Sequence, residues 1–260
     1  MFKGKKFKKI FKIVAATMLV AVLPLFATYS SIMSQLGTSN PMVKDGNYTN
    51  YYKVSYKKAI KKSRESVVRI VSLDGRGSGY FSTATGTYFQ AYGGYFVITV
   101  MHAIQGPCEL TTIVHEDEVY DCKKYIATDL QNDYAIIQIE EIPNRTAIDI
   151  FKDLPRHNQW KKSYSLMNRL VYTGYPNTIG PLTISGDVAG FAGLDYIYML
   201  SYAWAGSSGS GVFDQRGKYI GYVVAVDVGQ TEFGAQVLQN VVLVAPAFNV
   251  DWTKVITDAE

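Results

Sequence analysis

The stretch AGSSGSGVF, Ala205–Phe213, puts a serine into a glycine-dense turn that runs straight into an apolar strand. A nucleophilic serine needs an exposed Oγ, a nearby base and backbone N–H groups aimed at a developing oxyanion. Glycines allow the tight backbone that brings successive amides onto one point. Taken alone, the turn reads equally well as a polar hairpin loop. Two further segments shift that balance. Tyr95–Ala103 (YFVITVMHA) is an apolar strand ending at His102, and Asn132–Ile137 (NDYAII) opens another with Asp133. Each is ordinary by itself, a satisfied structural histidine and a turn-forming aspartate. His102, Asp133 and Ser208 in that chain order, each at a strand edge, form the set of a base, its orienting carboxylate and a nucleophile.

Outward from these segments the pattern stays β-rich. Short β-branched and aromatic runs lie between Gly, Asn or Asp turns: Ser66–Leu73, Gly79–Ser82, Tyr95–Thr99, Leu110–His115, Val119–Tyr125, Tyr134–Ile139, Leu170–Gly174, Leu182–Phe191, Tyr196–Leu200, Gly211–Phe213, Tyr219–Val226 and Val241–Val244. This spacing predicts an all-β barrel or sandwich. A short basic helix is expected over Lys53–Arg64 and a terminal one over Val250–Ala259. The polar stretch Asp153–Ser163 is the natural boundary between two lobes. The 20 tyrosines fit strands and surfaces, not a cofactor site.

The chain resembles the trypsin-like serine peptidases of the chymotrypsin fold, most of all the bacterial HtrA/Deg protease domain, over roughly Ser66–Ala259. Ser66–Ile70 with Gly77-Ser78-Gly79-Tyr80 is similar to that family's opening strand and GSGF segment. Thr99–Ala103 resembles T-x-x-H-[AVC], Asp133–Ile137 resembles D-[LI]-A-[LV], and Gly206–Val212 resembles G-N-S-G-G-P-[LV]. The resemblance implies two six-stranded antiparallel β-barrels, about 66–150 and 165–247, followed by the helix at about 250–259. It implies a serine endopeptidase in which His102, Asp133 and Ser208 are catalytic and the N–H groups of Gly206 and Ser208 form the oxyanion hole. Val224, Ala225 and Val226 correspond to the strand that pairs with substrate, and Tyr202 to the floor of the primary specificity pocket. With no acid at that floor, a small or medium apolar residue is expected before the scissile bond. Ser210 and Gly211 stand where the family has glycine and proline, and Met101 replaces a small residue before the base. No PDZ module is expected after the domain.

Trypsin-like zymogens are activated when a new N-terminal ammonium pairs with an aspartate just before the nucleophile. Arg69-Ile70-Val71 superficially resembles such a cleavage site. Ser72-Leu73 follows in place of two glycines, however, and Ser207 supplies no counter-charge. Activity without cleavage is therefore expected, with Arg69 an ordinary strand residue.

The remaining composition narrows partners and location. The 260 residues are 48% hydrophobic and 18% charged, a globular balance. Six lysines (Lys3, Lys5, Lys6, Lys8, Lys9 and Lys12) precede the uncharged run Ile13–Ala27, and residues 1–30 contain no acid. This reads as a secretory signal, either a retained anchor or a cleaved peptide, that exports the body and contacts the membrane. Residues 31–52 read as a linker, and 53–260 as the peptidase domain. Setting those lysines aside leaves 20 basic against 22 acidic residues, a net of −2 that argues against nucleic-acid binding. Protein or peptide substrates are the expected partners, and no metal or other cofactor is expected. Cys108 and Cys122 flank a hairpin and are either a disulfide or two buried thiols. His115 and His157 read as solvated turn residues. The alternative function is a catalytically silent, membrane-tethered peptidase-fold protein that binds peptides or a partner.

Overall fold

The computed structural model describes residues 47–77, 79–193, 196–231 and 234–257. Residues 55–260 form one compact unit. The expected signal, 1–30, and the linker up to residue 46 lie outside the described residues.

Helix α1 (Asn47–Ser66) begins six residues before the expected start. Ala59, Ser63 and Ser66 are buried on one face, while Lys57, Lys58, Lys61 and Arg64 are exposed. Small residues at this helical spacing allow close approach, and Ser63 Oγ donates to Thr173 Oγ1 at 2.7 Å.

The chain then builds β1 (Val67–Leu73), β2 (Phe81–Ala91), β3 (Gly94–Thr99), β4 (Thr111–His115), β5 (Glu118–Asp121), β6 (Lys124–Asp129), β7 (Tyr134–Ile139) and the short β8 (Ile148–Asp149). The order is β5-β4-β1-β2-β3-β7-β6, with β8 parallel to β2. A single helical turn, α2 (Ile150–Asp153), leads into the expected lobe boundary and a second, α3 (Trp160–Ser163), ends it. Beyond them, β9 (Arg169–Gly174), β10 (Leu182–Phe191), β11 (Ile197–Leu200), β12 (Gly211–Asp214), β13 (Tyr219–Thr231) and β14 (Gly234–Pro246) close into a six-stranded barrel. Helix α4 (Thr253–Thr257) ends the described chain.

The fold is all-β and chymotrypsin-like, with one closed barrel where two were expected. The N-terminal half is a sheet whose edge strands, β5 and β6, share no ladder. The reason lies in Val119–Tyr125, read above as one strand. It breaks at Cys122-Lys123, so Asp121 pairs with Thr112 while Lys124 pairs with Gln138 at the opposite edge. Chain continuity and side-chain contact span the gap in place of a strand ladder, the Thr111 hydroxyl lying 2.7 Å from that of Tyr125. Most of β2 also escaped the sequence reading, because TATGT mixes small polar residues with a glycine. Gly86 belongs in that strand, since a Cβ there would meet the Val97 side chain at 2.4 Å.

Cys108 and Cys122 are disulfide-bonded across the bend, with Cα atoms 5.3 Å apart. Closing a loop of about 15 residues restricts the unfolded chain by about 3 kcal/mol. The double variant Cys108→Ala/Cys122→Ala is therefore expected to lose about that much stability in a urea titration. A midpoint unchanged from the oxidised parent would contradict this.

One core cluster joins both halves, with Tyr88, Phe96 and Ile98 of the sheet packed with Phe213, Tyr219 and Tyr222 of the barrel. The three candidate catalytic segments lead into or out of strands along this seam.

Candidate active site

Two neighbouring strands bring the base and its orienting acid together. In the β3–β7 pair Thr99 lies opposite Ala135, so the chain leaving β3 meets the chain entering β7. His102 lies three residues beyond Thr99, in a 3₁₀ turn, and Asp133 two residues before Ala135. Asp133 adopts φ +53°, a left-handed conformation that aspartate tolerates better than most residues. Its carboxylate spans both donors of the histidine. Oδ1 accepts the His102 backbone N–H at 2.9 Å and Oδ2 lies 2.7 Å from Nδ1. An ionised carboxylate only accepts, so Nδ1 carries the proton and Nε2 is left as the acceptor. The His102 side chain is 50% exposed and that of Asp133 only 17%, which places a shielded acid behind an open base.

Ser208 sits in the turn ahead of β12. Its Oγ donates to the Val224 carbonyl at 3.0 Å. Val224 is skipped in the β13–β14 register, which shifts between Val223 and Ala225. A bulge residue loses its ladder partner and can turn its carbonyl elsewhere. Ala225 and Val226 continue β13 opposite Leu243 and Val242. On the other side of β13, pairing with β12 ends at Tyr222, and Val223 bonds both Gly209 and Ser210 of the serine turn.

Within that turn Gly206 has φ +93° and Gly209 φ +85°. A Cβ at Gly209 would lie 2.0 Å from the Thr85 carbonyl, so only glycine fits the conformation and the contact. The amides of Gly206 and Ser208 have no backbone acceptor among the described residues. Ser207 is buried, its N–H donating to the Trp204 carbonyl at 2.8 Å. No carboxylate stands at that position for an inserted ammonium. Ile70 is fully buried in mid-β1, opposite Ala84 and Ile113.

The structure also places the remaining positions. Tyr202 is 55% exposed and stacks nearly parallel on Trp204, ring centroids 6.1 Å apart. Trp204 was not singled out in the sequence, though an aromatic two residues from Tyr202 was a usable signal. Gly77, Gly79 and Tyr80 lie ahead of β2, whereas the part of β2 that touches the serine turn is Thr85. His115 is not a solvated turn residue. It ends β4 with its side chain only 14% exposed, and burial with the nearby Arg145 charge pushes its imidazole down from the usual value. Arg69 does more than fill a strand position: Nη2 donates to the Thr178 carbonyl at 2.9 Å, and the guanidinium lies 4.8 Å from the Tyr175 ring centroid.

Residues 77–221, more than half of the chain, match the trypsin-like peptidase domain. The chain belongs to the trypsin-like peptidase family. No curated protein matches this family member. Among solved structures it is similar in fold to a serine endoprotease from Yersinia pestis, at 14% identity and TM-score 0.58 over 78% of this chain and 65% of that one. It is also similar to the HtrA-type protease AlgW with a tripeptide, at 18% identity and TM-score 0.57 over 75% and 60%. A third is the active form of the Rv3671c protease from M. tuberculosis, at 17% and 0.58 over 77% and 85%. This trypsin-like peptidase-family chain thus spans less than two thirds of the first two.

Proposed function

We propose that the protein is a serine endopeptidase that cleaves exported or envelope proteins through an acyl-enzyme, with Ser208, His102 and Asp133 as its triad. The observation that carries this reading is the two-point hold of Asp133 on His102, which leaves Nε2 free to take a proton. Ser208 Oγ attacks the scissile carbonyl as Nε2 removes its proton. The resulting oxyanion lies against the N–H groups of Gly206 and Ser208. Collapse expels the amine, which takes the proton from His102, and water repeats the sequence to release the acid.

The contact from Ser208 to Val224 gives substrate a part in this. A peptide adding as a strand along Val224–Val226 donates an N–H to the Val224 carbonyl. The serine hydroxyl then turns from that carbonyl to Nε2. The exposed Tyr202–Trp204 pair supports an apolar side chain before the scissile bond.

The export signal puts this chemistry outside the cytoplasm, on an anchored or a secreted domain. No helix among the described residues is long and apolar enough to cross a membrane, and Ile13–Ala27 lies outside them.

The same serine contact favours a second reading, a silent peptidase-fold protein that binds peptides, because the resting hydroxyl is not on the base. A fluorophosphonate probe separates the two without a known substrate. Native protein is expected to be labelled at one serine and heat-denatured protein not at all. Absence of labelling in folded protein rejects the endopeptidase.

A further inference from the structure

The turn that carries Ser208 is anchored through four successive carbonyls. Ala205 O accepts from Asn177 N–H at 2.6 Å, Gly206 O from Thr85 Oγ1 at 2.7 Å and Ser208 O from Thr85 N–H at 2.8 Å. Ser207 O accepts from Ser210 Oγ at 2.6 Å and from Ser210 N–H at 3.1 Å. A trans peptide points its C=O and N–H in opposite directions. Holding the Ala205 and Ser207 carbonyls inward therefore turns the Gly206 and Ser208 amides outward, together, beside the nucleophile.

We propose that Thr85, from the opposite half of the fold, is the positioning residue that keeps this oxyanion hole formed without an inserted N-terminus. The inference rests on the endopeptidase reading given above. Thr85 is fully buried. Its hydroxyl has one proton and two lone pairs. The proton goes to Gly206 O, and a lone pair accepts Tyr175 N–H at 3.0 Å. One oxygen thus ties the serine turn to the segment whose Asn177 N–H fixes the Ala205–Gly206 peptide. The Thr85 carbonyl is itself held by Thr99 Oγ1 at 2.7 Å, one turn before His102. The segment reaches Ala205 only by placing Asn177 and Thr178 at φ +49° and +62°. Asparagine tolerates this region, but it is costly for a β-branched threonine and persists there only where surroundings enforce it. Thr85 holds that segment at Tyr175, and Arg69 holds it at Thr178.

Valine at position 85 keeps the shape and removes the oxygen, stranding the Gly206 carbonyl and the Tyr175 N–H in a buried place. In the 260-residue chain, Thr85→Val is expected to lower the maximal fluorophosphonate labelling rate about 100-fold, as loss of one oxyanion donor does. The concentration for half-maximal rate and the pH profile, which read binding and His102, stay as in the parent. Thr85→Ser, which retains the hydroxyl, restores the rate to within severalfold. If the valine protein does not fold, Thr85→Cys carries the same test with a weak donor of similar size. A second arm needs no activity: amide resonances of Gly206 and Ser208 move in Thr85→Val and stay in Thr85→Ser. Parental resonances or parental labelling in the valine variant overturn the proposal, as does equal loss in valine and serine variants. A parent inert to the probe whose two amides still move with Thr85→Val rejects the endopeptidase reading and upholds the role of Thr85.

Discussion

Ser208→Ala is expected to abolish fluorophosphonate labelling and to reduce peptide hydrolysis on the order of 10⁶-fold, the loss that follows removal of a triad nucleophile. Ser210→Ala, two residues away, is expected to leave most of both. The two hydroxyls look alike in the sequence and differ in three ways in the structure. Ser210 is fully buried, Ser208 only partly. Ser210 Oγ donates to the Ser207 carbonyl at 2.6 Å, inside its own turn. Among the described residues Ser208 Oγ has one hydrogen bond, to the bulged Val224 carbonyl, which a substrate N–H can take over. Removing the Ser210 hydroxyl leaves its N–H on the same Ser207 carbonyl at 3.1 Å, so the turn keeps an anchor. Mass spectrometry of the labelled peptide reads the modified residue directly. Label on Ser210, or equal loss in the two variants, would overturn the assignment.

What the sequence disclosed and what it hid divide along physical lines. His102, Asp133 and Ser208 were legible because each closes or opens an apolar strand and the turn chemistry around it is local. The pairing of Thr99 with Ala135, which makes two of them neighbours, is a sheet register and has no local signal. Thr85 was invisible for the same reason. Its role depends on strand β2 crossing to the other half of the fold, and a threonine among TATGT carries no sign of that. The split at Cys122-Lys123 was hidden because a bent strand keeps the β-propensity of a straight one. Contact across the bend decides it, through Cys108 and through the hydroxyl of Thr111, 2.7 Å from that of Tyr125. Arg69 is more than a strand residue, since Thr178 approaches it from 109 positions away, and no local signal announces that.

Asp133→Asn should be nearly as damaging as loss of the nucleophile while leaving the fold intact. The left-handed conformation at 133 suits asparagine as well as aspartate, so the backbone has no reason to move. The side chain, however, must face two donors, the His102 backbone N–H at 2.9 Å and Nδ1 at 2.7 Å. A carboxylate accepts from both, whereas an amide accepts with its oxygen and donates with its nitrogen. If the amide oxygen stays on the backbone N–H, the NH₂ group faces Nδ1, which must then become the acceptor. The imidazole proton moves to Nε2, the atom that has to receive the proton of Ser208. If the amide is reversed, its NH₂ meets the backbone N–H in a side-chain environment only 17% exposed, where water does little to relieve the conflict. The first orientation disables the base and the second sets two donors against each other, so the first prevails and the expected loss is about 10⁴-fold in the maximal rate of labelling or hydrolysis. Thermal melting should stay near that of the parent, since the acid's contribution here is to orientation and not to packing. A folded Asp133→Asn protein that reacts within tenfold of the parent would remove Asp133 from the mechanism and leave His102 to be oriented by something else.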